Sequence, residues 1–182
     1  WMASNNERYN YKTLWIAASA VLLATLWYGW VVNGGDISYG RLNKIPWQEI
    51  QWYHAAAPGI LVLLTRFGVP VSTSFLVLSV FASTFVLEKM LMKSIMGYGI
   101  AALFAYAAWY VISRTLDEAA PVKEEHKNYW RIAQWFATGG LWWTWLSHDM
   151  ANIAVFLPRE VPVDLMIMVS GVFVIGLFFM FR

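Results

Sequence analysis

The fold this sequence predicts is an all-α, polytopic membrane helical bundle with broken or re-entrant segments. Three observations predict it. First, 59% of the 182 residues are hydrophobic and only 13% are charged, about half the charge of an ordinary soluble domain. Second, long apolar runs alternate with short polar stretches, and the chain is long enough for about five to six spans. Third, twelve tryptophans and nine tyrosines suit aromatic belts at two water–lipid boundaries. The whole chain, 1–182, is expected to be one transmembrane domain.

The elements follow in order. Residues 1–12 are a polar lead-in. Leu14–Val32 is the first expected span, with Trp15, Trp27, Tyr28 and Trp30 near its ends; Asn33-Gly-Gly-Asp36 stops it by turn chemistry. It is too long for a signal core and has no small-residue cleavage site, so no secretory signal is expected. Residues 36–52 read as a polar connector. His54–Arg66 is apolar but too short to cross at about 1.5 Å per residue. Phe75–Leu87 is a second short apolar run, and the pair reads as two half-helices meeting at a break, or as a hairpin. Glu88, Lys89 and Lys93 mark a return to water. Ser94–Ser113 is a span whose Gly and Ala permit close helix contact. Residues 114–127 form the charged linker "RTLDEAAPVKEEHK". Asn128–Ser147 is a further span interrupted at Gly139-Gly140, and Val163–Phe181 is the last. Lys and Arg are more numerous on the N-terminal side of this arrangement, which favours a cytoplasmic N-terminus. Trp precedes the first Met, so a fragment, a trimmed chain or a misnumbered start is expected.

Two polar interruptions carry the chemistry. The first is "FGVPVSTSF", Phe67–Phe75. Non-helical backbone at membrane depth is tolerated only inside protein or along a cavity. Pro70 lacks an N–H and pushes Val69 away from helical geometry. Ser72 is a good N-cap for a helix through the following apolar run. The open N–H groups of that first turn, with flanking hydroxyls, make an anion site. The plainer alternative is that Ser72 caps a helix at a surface loop.

The second is "SHDMAN", Ser147–Asn152. On a helix, His148 and Asn152 stand four apart and Asp149 and Asn152 three apart, so they share a face. Carboxylate and amide oxygens suit a hard cation such as Na⁺, or Asp149 carries a proton. An ionisable group inside a membrane costs about 2.5–3.5 kcal/mol on insertion scales and defaults to function. The alternative sets this stretch at the wet interface. Gly139-Gly140 and Pro158 bracket it, which favours a broken segment.

Together these stretches resemble the inorganic phosphate transporter (PiT) family. Gly68-Val-Pro-Val-Ser-Thr-Ser-Phe75 is similar to that family's Gly-x-Pro-Val-Ser-Thr-Thr-His element, and Ser147-His-Asp-Met-Ala-Asn152 to its Gly-Ala-Asn-Asp-Val-Ala-Asn element. The family's His stands as Phe75 here, and the Asn before its Asp as His148. The family carries each element twice, in inverted halves; here each occurs once. The resemblance implies hairpin-bearing membrane helices and cation-coupled uptake of phosphate. By position, Ser72, Thr73 and Ser74 would contact the anion, and Asp149 and Asn152 would hold the coupling ion or phosphate. A distant member of that family, or an incomplete piece of a longer permease, is expected.

Phosphate is a mono- or dianion at neutral pH, and neither motif supplies Lys or Arg. Extra positive charge would come from a cation at Asp149 and Asn152, with His148 tuning or replacing part of that site. Arg66 and Arg159 lie near the motifs and would help or act as interfacial anchors. His54 and His148 leave a haem-bearing electron-transfer subunit as a rival, and a non-transporting membrane subunit is another. "LWWTWL" reads as interfacial or packing tryptophans, or an aromatic ligand box. With no cysteine, disulfides and thiolate metal sites are excluded. No catalytic triad, metalloprotease signature or nucleotide loop is present, so no catalytic residue, resident metal or cofactor is expected beyond Na⁺ as coupling ion. A net charge of +2 argues against nucleic acid. The expectation is therefore a transporter of phosphate or a similar oxyanion in the plasma (inner) membrane. Its partners are the oxyanion, the lipid bilayer and, in a homo-oligomer, a second copy.

Overall fold

Asn10 starts the first helix, its side chain accepting a hydrogen bond from the Lys12 backbone at 3.3 Å as an N-cap does. This helix, α1, spans Tyr11–Val32. The computed structural model describes residues 10–69, 71–116 and 126–182. A 3-10 turn follows at Trp52–Ala55, then α2 (Ala56–Arg66), α3 (Thr73–Ser79), α4 (Thr84–Leu116), α5 (Lys127–Ala154) and α6 (Val163–Phe181). The described residues contain no strand, and the fold is all-α. Pro70, the lead-in at 1–9 and the linker core at 117–125 lie outside the described residues.

Among the described residues, three helices are long and apolar enough to cross a membrane: Tyr11–Val32, Thr84–Thr115 and Val163–Phe181. The protein is therefore membrane-embedded; of the four spans expected, Asn128–Ser147 does not fall within these helices. α5 has the length, at 28 residues, but Arg131, Gln134, His148 and Asp149 lower its hydropathy.

Contacts divide the chain into two units: Trp1–Phe81 with Phe136–Arg182, and Ala82–Trp135. In the first, α1 packs on α6. Leu14, Ala18, Leu22 and Leu26, spaced four apart, form the buried row of α1, and Met166 and Ser170 are the buried residues of α6. Lipid is as apolar as leucine, so packing and hydrogen bonds hold such a pair. Three α1 indoles donate, two to α6 and the third to Val161 just before it. Trp15 Nε1 donates to Val174 O at 2.9 Å, Trp27 Nε1 to Ser170 Oγ at 3.2 Å, and Trp30 Nε1 to Val161 O at 2.7 Å. Phe178 packs edge-on against Tyr11 and Trp15 at the other end.

The connector after α1 corrects the expectation of a merely polar stretch. Ile37, Leu42 and Ile45 are each at most 4% exposed, so isolated apolar residues bury it as a folded cap. Asp36 organises it, its two carboxylate oxygens accepting from Ser38 N at 2.7 Å and Gly40 N at 3.0 Å in an Asx-type turn. Gly35 has φ +98, a conformation that L side chains rarely adopt. Its carbonyl accepts from Val161 N at 3.0 Å.

Three further corrections concern the interruptions and the charges between them. The run Phe75–Leu87 is not one helix: α3 ends at Ser79 and α4 starts at Thr84. Phe81 is drawn into an aromatic cluster with His54 and Phe156, at centroid distances of 4.5 and 5.2 Å, and Gln48 Nε2 donates to its carbonyl at 3.0 Å. Glu88, Lys89 and Lys93 do not end a helix; they sit in the early turns of the 33-residue α4. At about 1.5 Å per residue that helix outreaches a hydrocarbon core of about 30 Å, so charged turns can project into water. Gly139-Gly140 does not interrupt α5, which runs unbroken to Ala154. Glycine costs a helix only about 1 kcal/mol, and Gly140 O still accepts from Thr144 Oγ1 at 3.0 Å. The acidic stretch therefore lies on the last two turns of a continuous helix rather than on a broken segment.

Candidate functional site

Ser72 caps α3 as its type and position dictate, accepting at Oγ from Phe75 N at 3.3 Å. That cap sets Thr73 as the first helical residue. α2 and α3 pack on each other, and Val77 and Leu78 bury the far end of α3. On α5, Met150, Ala151 and Ala154 bury one face of the last turns. Asp149 and Asn152 are carried half-buried beside it.

These two pieces meet. Thr73 Oγ1 donates to Asp149 Oδ1 at 3.4 Å across 76 residues of sequence. Asn152 Nδ2 donates to the same Oδ1, also at 3.4 Å. The carboxylate is thus held by a hydroxyl of one motif and an amide of the other. Asn152 Oδ1 is enclosed and has no hydrogen-bond partner, which leaves one buried acceptor beside an anionic oxygen. Oxygen-rich acceptors near a helix C-terminus, where the dipole favours positive charge, suit a cation better than an anion.

The remaining candidates are not in this knot. Ser72 is exposed and occupied as a cap. Ser74 is half-buried on α3. His148 is exposed, with Nδ1 3.1 Å from Thr144 O on its own helix. Ser147 likewise turns back to Thr144 O at 2.9 Å. His54 is 2% exposed, accepts at Nδ1 from Gln51 N at 2.9 Å and stacks on Phe81. Arg66 is exposed in the last turn of α2. Arg159 Nη2 donates to Ile45 O at 2.8 Å, while Nη1 is enclosed without a partner. Burial lowers the Arg159 pKa, and the Asp36 carboxylate partly restores it. Arg159 is thus a tether of the connector.

One residue escaped sequence reasoning. Arg41, on the connector, has a pKa lowered by burial and raised in turn by the Asp149 carboxylate. Its side chain is exposed. The signal that could have found it is the turn chemistry around it. Asn33-Gly-Gly-Asp36, with Ser38 and Gly40 following, predicts a compact Asx turn rather than an open linker, and such a turn can carry a cation back over the bundle.

The class these features define is an all-α membrane protein with a polar knot between a short capped helix and the C-terminal turns of a long one. Comparison with family models, with curated proteins and with solved structures returned no match to this chain.

Proposed function

We propose that this protein moves phosphate or a similar oxyanion across a membrane, coupled to Na⁺ or H⁺, with Thr73, Asp149 and Asn152 at the site. The observation that carries the reading is the Thr73–Asp149 hydrogen bond of 3.4 Å, which joins the hydroxyl-rich and acidic stretches. The likeness of both stretches to phosphate-transporter motifs supports the choice of solute.

Electrostatics supplies the coupling. An anion about 4 Å from the Asp149 carboxylate would be repelled by about 4 kcal/mol at an effective dielectric of 20. A cation held by Asp149 and the open Asn152 oxygen cancels that repulsion, so each ligand raises the other's affinity by the same factor. α3 has only seven residues. Its N-terminal N–H groups therefore give modest attraction confined to the first turn; the hydroxyls of Ser72 and Ser74 add donors, while that of Thr73 is given to Asp149. Residence in the plasma (inner) membrane belongs to the same proposal.

The test is uptake of radiolabelled phosphate into vesicles containing the purified chain, with a Na⁺ or pH gradient imposed. Gradient-dependent uptake that Asp149→Asn abolishes is expected. A folded, vesicle-inserted protein that shows no gradient-dependent uptake would overturn the reading.

A further inference from the structure

Two adjoining clefts lie where α1 ends and α6 begins. The first, of about 620 Å³, is formed by the connector and the stretch before α6, with Asp36, Asn43, Trp47, Arg159 and Glu160 in its walls. The second, of about 550 Å³, is walled by Trp30, Val31, Val161 and Pro162. Gly34 and Glu160 border both. We infer that the two clefts together seat one zwitterionic phospholipid, with its phosphate and ammonium in the first and the start of its apolar part in the second. The inference goes beyond the transport reading and does not depend on it, since Thr73, Asp149 and Asn152 line neither cleft.

Position points to a lipid. α1 ends at Val32 and α6 begins at Val163, and both are long and apolar enough to cross a membrane. Trp30 Nε1 donates to Val161 O at 2.7 Å, and Val161 N donates to Gly35 O at 3.0 Å. These bonds hold the end of α1 and the start of α6 side by side, at a level where hydrocarbon gives way to water. Val31, Val32 and Val163 are exposed around them, and a tryptophan lines each cleft, as is common at that boundary. One cleft therefore offers apolar walls beside the spans, and the other offers polar groups beyond them. A soluble solute uses the polar walls alone, whereas an amphiphile uses both.

Charge selects the headgroup. Arg159 spends Nη2 on Ile45 O at 2.8 Å, while Nη1 is enclosed without a hydrogen-bond partner. The guanidinium thus brings a positive charge and an unmet donor to the cleft wall, and it suits a phosphate. Two carboxylates share that wall. Asp36 gives both oxygens to Ser38 N and Gly40 N, whereas Glu160 is exposed. One cation with two carboxylates disfavours a lipid of net negative charge and suits one that carries an ammonium beside its phosphate. Glu160 and the ring of Trp47 receive that ammonium, by ion pairing and cation–π attraction.

The experiment titrates the purified chain in a neutral detergent and reads binding by native mass spectrometry. The probes are short-chain phosphatidylethanolamine, short-chain phosphatidylglycerol, phosphoethanolamine and inorganic phosphate. Phosphatidylethanolamine is expected to bind the most tightly of the four. Glu160→Gln and Trp47→Leu, both at exposed positions, should each raise its Kd about two- to fivefold, as losing an exposed ion pair or a cation–π contact does. Should either variant lower Tm, the ranking of the four probes on the unaltered chain decides. If phosphatidylglycerol binds as tightly as phosphatidylethanolamine, or if two stable variants bind phosphatidylethanolamine unchanged, the lipid is held without headgroup recognition and the inference fails. If phosphoethanolamine or phosphate binds as tightly as the lipid, the apolar cleft takes no part, and the inference also fails.

Discussion

Gly29 and Tyr39 show how one position of α1 is dictated from outside the helix. A Cβ at Gly29 would lie 2.6 Å from the Tyr39 ring. Tyr39 holds φ +56, a left-handed conformation costing about 1 kcal/mol or more in a bulky residue. Its hydroxyl donates to Thr25 O, which helps hold it there. Gly29→Ala should therefore displace the ring and destabilise the protein by about 1–3 kcal/mol, read as a fall in Tm in detergent. Tyr39→Ala in the same background should remove most of the further cost, because the two changes share one contact. The phenol is also a pH probe. Burial, helped by Tyr28, raises its pKa above the usual 10.0. The contribution is fully present below pH 10, the unfolded value, and is lost as pH rises through the folded value. Tyr39→Phe should flatten that alkaline loss, measured by Tm against pH.

At the scale of elements, the pairing of α1 with α6 depends on two indole donors, Trp15 and Trp27, as well as on packing. Interhelical hydrogen bonds in membranes are worth about 0.6 kcal/mol on average. A double-mutant cycle between Trp27→Phe and Ser170→Ala should give a coupling of about that size. α3 is a different case. It is too short to be stable alone and depends on its cap and on packing against α2. Ser72→Ala should cost about 1 kcal/mol by chemical denaturation. It should also impair phosphate uptake more than its stability loss explains, since α3 positions Thr73. Both interruptions were legible as departures from apolar sequence. The ends of the helices around them were less so. The run Phe75–Leu87 is apolar throughout, and its break follows from the contact of Phe81 with His54 and Phe156. Nothing local to the run encodes that contact. Gly139-Gly140 misled in the opposite sense, since glycine weakens a helix without ending it.

At the scale of the molecule, the site joins residues 76 apart, and its test is a comparison of two threonine variants. Thr73→Ser keeps the hydroxyl that Asp149 accepts, whereas Thr73→Val keeps the shape and removes the donor. Thr73→Ser should retain most phosphate uptake, and Thr73→Val should reduce it about tenfold, in line with about 1.5 kcal/mol for a hydrogen bond to a charged group. Equal uptake by both variants would detach Thr73 from transport. Asp149, Asn152 and the hydroxyl run were visible as polar residues in an apolar chain.

What the sequence determined by itself is what short-range physics controls. Val163–Phe181 is a helix over the very residues its apolar run predicts, Leu14–Val32 lies within α1, and Ser72 is the cap its hydroxyl and position require. Each follows from neighbours within a turn or two. The tertiary structure alone decided that the connector folds and that Thr73 reaches Asp149. Those contacts depend on burying Ile37, Leu42, Ile45 and Phe81, scattered residues whose partners lie far along the chain and leave no periodic trace in it.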